Sequence, residues 1–114
     1  MGVLDRFRRS VTRYGGIDAT DARYLQEWAR AHNGVEAFVE PRTTVSDVTV
    51  VLVAADGEWT RRTVGEGGAR HLSGWLRIPV YDARRTGYPQ RMRDHDARRR
   101  IERERAARRE LEDR

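Results

Sequence analysis

Cysteine and lysine are both absent from this chain of 114 residues. Without cysteine there is no disulfide framework, no thiolate nucleophile and no cysteine-ligated zinc or iron–sulfur site. Without lysine there is neither a Schiff-base amine nor the lysine of a phosphate-binding P-loop. No apolar run approaches the roughly 18 residues that a membrane-spanning helix needs. These absences exclude several enzyme classes and predict a cytoplasmic protein with no membrane span.

Residue types that often carry catalysis are few and scattered. The histidines, His32, His71 and His95, do not have the spacing of metal ligands on one helical face. No serine lies in a nucleophile-elbow sequence, and no pair of carboxylates stands out as an acid and its base. The leading interpretation therefore includes no catalytic residue, no metal site and no cofactor.

Charge divides the chain into three segments. Residues 1–14 contain four arginines and one aspartate, residues 15–90 contain nine arginines and ten acids, and residues 91–114 contain ten arginines and seven acids. The middle is nearly neutral and both ends are basic. We predict a basic amphipathic helix at 1–14, an α+β body at 15–90 and an arginine- and glutamate-rich helix at 91–114. The apolar face of the first helix consists of Leu4, Phe7, Val11 and Tyr14.

Hydrophobic periodicity in the body predicts a small, mostly antiparallel sheet of three strands plus a short fourth, packed by two helices on one face. One helix follows the potential caps Asp18 and Thr20, and the other follows the glycines of "GEGG". Between them, "VEAFVE", "VTVVLVA" and "EWTRRTV" have the composition of strands, and "VTVVLVA" is predicted to be central. Asp56-Gly57 predicts a tight hairpin, and "IPVYD" predicts the fourth strand.

The predicted C-terminal helix allows two interpretations. Acid-first pairs four residues apart would let it neutralise itself in water: Asp94 with Arg98, Asp96 with Arg100, Glu104 with Arg108 and Glu110 with Arg114. Alternatively, its arginines form a cluster that binds the phosphates of RNA, DNA or a ribonucleoprotein. The residues of this cluster are Arg91, Arg93, Arg98, Arg99, Arg100, Arg103 and Arg105.

One aromatic residue in the body extends the nucleic-acid hypothesis. Trp59 begins the third predicted strand close to Arg61 and Arg62, an arrangement that suits base stacking beside guanidinium groups. The leading interpretation is thus a non-catalytic accessory or adaptor protein that contacts nucleic acid or a ribonucleoprotein assembly through its basic ends. A competing interpretation makes the C-terminal helix a docking or dimerisation element for a protein partner.

The glycine turn in "VGEGGAR" supports a different function. A glycine-rich turn that opens a helix exposes amide groups that can hold a phosphate. Asp82 ends the next predicted strand, where a ribose-binding acid would be needed, although Arg70 replaces the third glycine of the dinucleotide fingerprint. This alternative is a small oxidoreductase or nucleotide-binding domain that uses Gly65, Gly67, Gly68 and Asp82.

Three blocks resemble a family of small uncharacterised actinobacterial proteins: "YGGIDATDARYLQEWA", "VEAFVEPRTTVSDVTVVLVAADGEWTRR" and "IPVYDARRTGYPQRMRD". Some members of that family are labelled oxidoreductases without an assigned mechanism, so the resemblance implies no particular catalytic residue. The predicted order of helix, three strands and helix is also similar to that of double-stranded-RNA-binding domains. This chain departs from them because its second helix begins "GEGGARH" and has no lysine cluster.

Overall fold

The computed structural model describes residues 16–114, so the predicted amphipathic helix at 1–14 lies outside the described residues. The described chain confirms the α+β class. Its elements, in chain order, are α1 (Ala19–Ala31), β1 (Glu36–Glu40), β2 (Thr49–Val53), β3 (Trp59–Thr63), α2 (Gly65–Leu76), β4 (Val80–Asp82), α3 (Ala83–Thr86) and α4 (Gln90–Glu112).

The four strands form one sheet in the order β3-β2-β1-β4. Antiparallel pairing joins β1 to β2 and β2 to β3, whereas the short β4 is parallel to β1. The predicted hairpin is confirmed: Val53 pairs with Trp59, and the turn between them includes Gly57 with a φ of 91°. The sheet is therefore mixed, and the predicted central strand β2 has a neighbour on each side.

One face of the sheet packs against α1 and α2. Asp18 caps α1 by accepting a hydrogen bond from the backbone N–H of Thr20, and Leu25 is fully buried on its inner side. Leu72 of α2 joins Leu25 and the inward residues of β1 and β2 in one hydrophobic cluster. Burial of each such leucine stabilises the fold by about 1.5–3 kcal/mol.

The other face of the sheet is covered by the start of α4. Phe38 of β1 and Val51 and Val53 of β2 form a second buried cluster with Met92. The first turn of the C-terminal helix therefore packs against the body. From Arg98 to the end of the chain every residue is exposed, so α4 has a docked beginning and a solvent-exposed remainder.

Candidate nucleic-acid interface

The position of α4 is fixed by contacts with the β2–β3 hairpin. Arg91 donates from Nε to the carbonyl oxygen of Ala54 at 2.9 Å and from Nη2 to Glu36 Oε1 at 2.6 Å. About two turns further on, Arg98 Nη2 donates to the carbonyl oxygen of Asp56 at 3.1 Å. These bonds hold the first turns of α4 beside the hairpin and so create a concave surface between the two elements.

That surface is a groove of about 620 Å³, which we call the basic groove. Its lining combines the side chain of Trp59 with four arginines and two carboxylates, those of Glu58 and Asp96. His95 and Ala97 complete the lining. The arginines are Arg93, Arg99, Arg100 and Arg103. Positive charge therefore predominates in a concavity that also contains an aromatic ring.

Helical spacing explains why these side chains converge. Asp96, Arg99, Arg100 and Arg103 follow one another at i, i+3, i+4 and i+7, which places them on one face of α4. Trp59, the first residue of β3, donates a hydrogen bond from Nε1 to Asp96 Oδ1 at 2.8 Å. This bond joins the turn end of the hairpin to that face of α4. Five residues of the predicted nucleic-acid site, Trp59 and the four arginines, thus lie in one groove.

The charges on α4 are arranged differently from the self-neutralising helix that the sequence allows. None of the four predicted acid-first pairs is within 4.0 Å in the part of the chain that the structure describes. Asp94 instead accepts a hydrogen bond from Gln90, and Asp96 accepts one from Trp59. Within residues 16–114, the guanidinium groups of the three groove arginines after Asp96 have no carboxylate within that distance.

Several other predicted residues lie away from the groove and are engaged elsewhere. Arg61 forms an ion pair with Glu40 at 2.7 Å, and Arg91 is held by Glu36. Arg62 lies on the opposite face of β3, where its guanidinium is 3.7 Å from the ring centroid of Tyr24 and 3.7 Å from the carboxylate of Asp21. Arg98 is bound to the hairpin turn, and Arg105 is exposed outside the groove.

A second polar site surrounds Glu40, a residue that the sequence interpretation did not single out. Its carboxylate accepts hydrogen bonds from Thr49 Oγ1 at 2.7 Å, from Arg61 Nε and Nη2 at 2.7 and 3.0 Å, and from the hydroxyl of Tyr88. Burial by itself would raise the pKa of Glu40, but the bonds from Arg61, Tyr88 and Thr49 outweigh it and lower the pKa to about 2.

The same cluster affects the groups around Glu40. The hydrogen bond to Glu40 raises the pKa of Arg61, while burial and then the bond to Glu40 raise the pKa of Tyr88. Glu40 is therefore an ionised carboxylate surrounded by donors, an arrangement that stabilises a fold rather than one that supplies an acid or base near neutral pH. Nothing in the local sequence indicates it, because Tyr88 is 48 positions from Glu40.

The glycine turn is built into the first turn of α2. Gly65 has a φ of 69°, and its N–H donates to the carbonyl oxygen of Val48 at 3.0 Å. The strands before and after α2 occupy opposite edges of the sheet, whereas a dinucleotide-binding unit has them close together. Asp82 caps α3 by accepting a hydrogen bond from the N–H of Arg84 at 3.0 Å.

The surroundings of that turn are also poorly suited to a phosphate. A groove of about 470 Å³ brings Asp82 close to the first turns of α2, with Glu66 and Arg70 in its lining. Gly65, Gly67 and Gly68 do not contribute to that lining. Two carboxylates beside a single pair of arginines, Arg70 and Arg84, favour phosphate less than the basic groove does.

Comparison of the chain with protein-family models, with curated proteins and with solved structures found no match. Among residues 16–114 there is no group of three or more metal-ligating side chains placed to hold an ion. Over the same residues, no helix has the length and apolar character needed to cross a membrane. The geometry of the basic groove is therefore the main indication of what this protein binds.

Proposed function

We propose that the protein is a non-catalytic, cytoplasmic accessory or adaptor protein that contacts nucleic acid, free or in a ribonucleoprotein assembly, through the basic groove. The observation that supports this most directly is the convergence of Arg99, Arg100 and Arg103 beside Trp59, with no carboxylate within 4.0 Å of these guanidinium groups in residues 16–114. Each guanidinium can donate two parallel hydrogen bonds to a phosphate.

The electrostatics of the groove favour a ligand with several negative charges. At 4 Å, two unit charges attract each other by about 1 kcal/mol in bulk water and by about 4 kcal/mol near a protein surface of lower effective dielectric. Four arginines outweigh the two carboxylates of Glu58 and Asp96, and the body against which α4 packs is nearly neutral. A polyphosphate chain could follow the groove and contact arginines along its length, whereas a single small anion would contact only those nearest to it.

Replacing Arg99, Arg100 and Arg103 together with glutamine should weaken nucleic-acid binding by roughly 10-fold or more at low salt. Each phosphate contact contributes about 0.7 to 0.9 to the slope of log affinity against log salt, so the slope should decrease in magnitude by about 2. Fluorescence anisotropy of a labelled oligonucleotide, titrated between about 50 and 200 mM salt, measures both quantities.

The matched control replaces Arg105, Arg108 and Arg109 with glutamine. This triple variant removes the same charge from the same helix, but its three side chains lie outside the groove. It should retain most of the affinity and most of the salt slope. Equal losses in the two variants would contradict a groove-specific site.

Two further results would overturn the proposal itself. One is the absence of RNA or DNA binding at about 50 mM salt. The other is equally tight binding of polyglutamate, which would indicate an acidic protein partner.

Asp96→Asn should have the opposite effect and strengthen binding by roughly two- to five-fold, because it removes a negative charge that repels phosphate. Asparagine retains an oxygen that can accept the hydrogen bond from Trp59 Nε1, so the groove should keep its shape. The same anisotropy titration measures the change. Weaker binding by this variant would show that the charge of Asp96 is needed in the site.

A further inference from the structure

Trp59 is held in a defined orientation at the wall of the basic groove. Its N–H is bound to Asp96 at 2.8 Å, and Arg61 lies 5.2 Å from its ring centroid. Trp59 lines the groove, whereas Arg61 does not. The ring is half-buried against the second hydrophobic cluster. A ring fixed in this way loses little conformational entropy when a ligand stacks on it.

The groove arginines lie along the helix next to this ring. Arg93 and Arg103 are ten residues apart, which corresponds to about 15 Å along the axis of α4. Trp59 is bound to Asp96, which lies between them in sequence. A chain of phosphates that follows these arginines would therefore pass the indole with its sugars and bases close by. An aromatic surface at that point adds nothing to phosphate binding, but it offers a base a stacking partner.

We infer that the basic groove takes single-stranded nucleic acid, with one unpaired base against Trp59 and the adjacent phosphates on Arg99, Arg100 and Arg103. This inference rests on the proposed function and specifies its ligand. In a duplex both faces of each base are already stacked, so only base edges and the backbone are accessible from outside. A duplex would have to unstack before a base reached the indole, whereas a single strand presents its base faces freely.

The first test needs no substituted protein. Three labelled probes of equal length are titrated with the intact chain at several salt concentrations: a single strand of about ten nucleotides, a duplex of the same sequence, and a strand of abasic deoxyribose phosphates. The single strand should bind roughly 5-fold or more tightly than the abasic strand, because only the single strand can stack on Trp59. It should also bind more tightly than the duplex.

The second test compares Trp59→Leu with Trp59→Phe. Both variants lose the N–H that binds Asp96, but only leucine lacks an aromatic face. Trp59→Leu should weaken binding of the single strand by roughly 5- to 100-fold relative to Trp59→Phe, with little effect on the abasic strand. The salt slope should be unchanged in both variants, because stacking releases no counterions. Thermal unfolding monitored by circular dichroism checks that both remain folded.

The outcomes separate this inference from the proposed function. Tighter binding of the duplex, or equal binding of the single and abasic strands, would overturn the single-strand inference and leave nucleic-acid binding in place. Equal affinity of the leucine and phenylalanine variants for the single strand would likewise exclude stacking on Trp59. Failure of all three probes to bind at about 50 mM salt would overturn both proposals.

Discussion

Replacing Gly57 with alanine should destabilise the protein by about 2 to 5 kcal/mol and displace α4 from the hairpin. Gly57 is buried, with a φ of 91°, a conformation that costs an L-residue about 1 to 2 kcal/mol. A Cβ atom at this position would lie 2.0 Å from the carbonyl oxygen of Arg91 and 2.7 Å from its carbonyl carbon. These are backbone atoms, so no change of rotamer relieves the collision.

Gly87→Ala separates the two causes of that loss. Gly87 also has a positive φ, 66°, but an added Cβ would meet no atom within 4 Å. Urea denaturation should therefore show a clearly smaller loss for Gly87→Ala than for Gly57→Ala. If the two variants were equally stable, the close approach of α4 to the hairpin turn would be refuted.

Gly57→Ala also has a functional consequence, because one side of the basic groove is formed by the hairpin and the other by α4. Every arginine of the groove is still present in this variant, yet the arginines and Trp59 would no longer face one another. Under the proposed function, nucleic-acid binding should weaken although no groove side chain has been changed. Residual binding should then resemble that of a simple basic helix, with a strong dependence on salt.

The strands and the hairpin were predictable because their signals are local. The β-branched run from Val48 to Ala54 contains β2, and Asp56-Gly57 marks the turn that sets its pairing with β3. Alternation along β3 also places Trp59 and Arg61 on one face and Thr60 and Arg62 on the other, as the structure confirms: Arg61 binds Glu40, whereas Thr60 binds Tyr24. Period-two alternation needs no knowledge of the tertiary fold.

The docking of α4 was not predictable from local signals. Charge composition changes near residue 90, so a boundary between Gln90 and Arg91 looks natural in the sequence. The structure instead buries Met92 against β1 and β2 and pairs Arg91 with Glu36, 55 positions earlier. A chain that ended at Gln90 would lose part of the core as well as the basic helix. Substitutions of exposed arginines therefore test the proposed function more cleanly than that truncation does.

The candidate site was only partly predictable, because its residues come from two elements that are distant in the sequence. An arginine cluster is visible in the sequence, and Trp59 stands out because it begins a strand. Which arginines converge depends on how α4 is rotated against the hairpin, and that rotation is set by distant contacts such as the bond between Trp59 and Asp96. Sequence spacing also suggested an ion pair between Asp96 and Arg100, but the indole N–H takes the carboxylate instead.

Glu40 provides the second large effect, a contribution to stability that depends on pH. Its folded-state pKa of about 2 lies below the ordinary value of 4.5, so the unfolded chain binds a proton first as the pH falls. Stability from Glu40 is therefore fully present above about pH 4.5 and is lost as the pH falls towards 2. Allowing for solvent screening of a partly exposed group, we expect about 1 to 2 kcal/mol from this source.

Glu40→Gln tests this contribution. The neutral amide keeps one acceptor oxygen but presents N–H groups to donors, so we expect a loss of about 2 to 3 kcal/mol at neutral pH. Between about pH 5 and pH 2 the difference from the wild-type protein should shrink by about 1 to 2 kcal/mol. Urea denaturation at a series of pH values measures both. Glu27→Gln, at an exposed position of α1, should change the stability at neutral pH by much less than Glu40→Gln does.

The result at Glu40 also bears on the basic groove. Tyr88, which binds Glu40, lies two residues before α4 begins, and its carbonyl oxygen accepts a hydrogen bond from Arg93 of the groove at 3.1 Å. Arg61, the other main partner of Glu40, contacts the ring of Trp59. Loss of the Glu40 carboxylate should therefore loosen both walls of the groove and weaken oligonucleotide binding at neutral pH. Unchanged binding by a folded Glu40→Gln variant would show that the groove is held by the hairpin contacts alone.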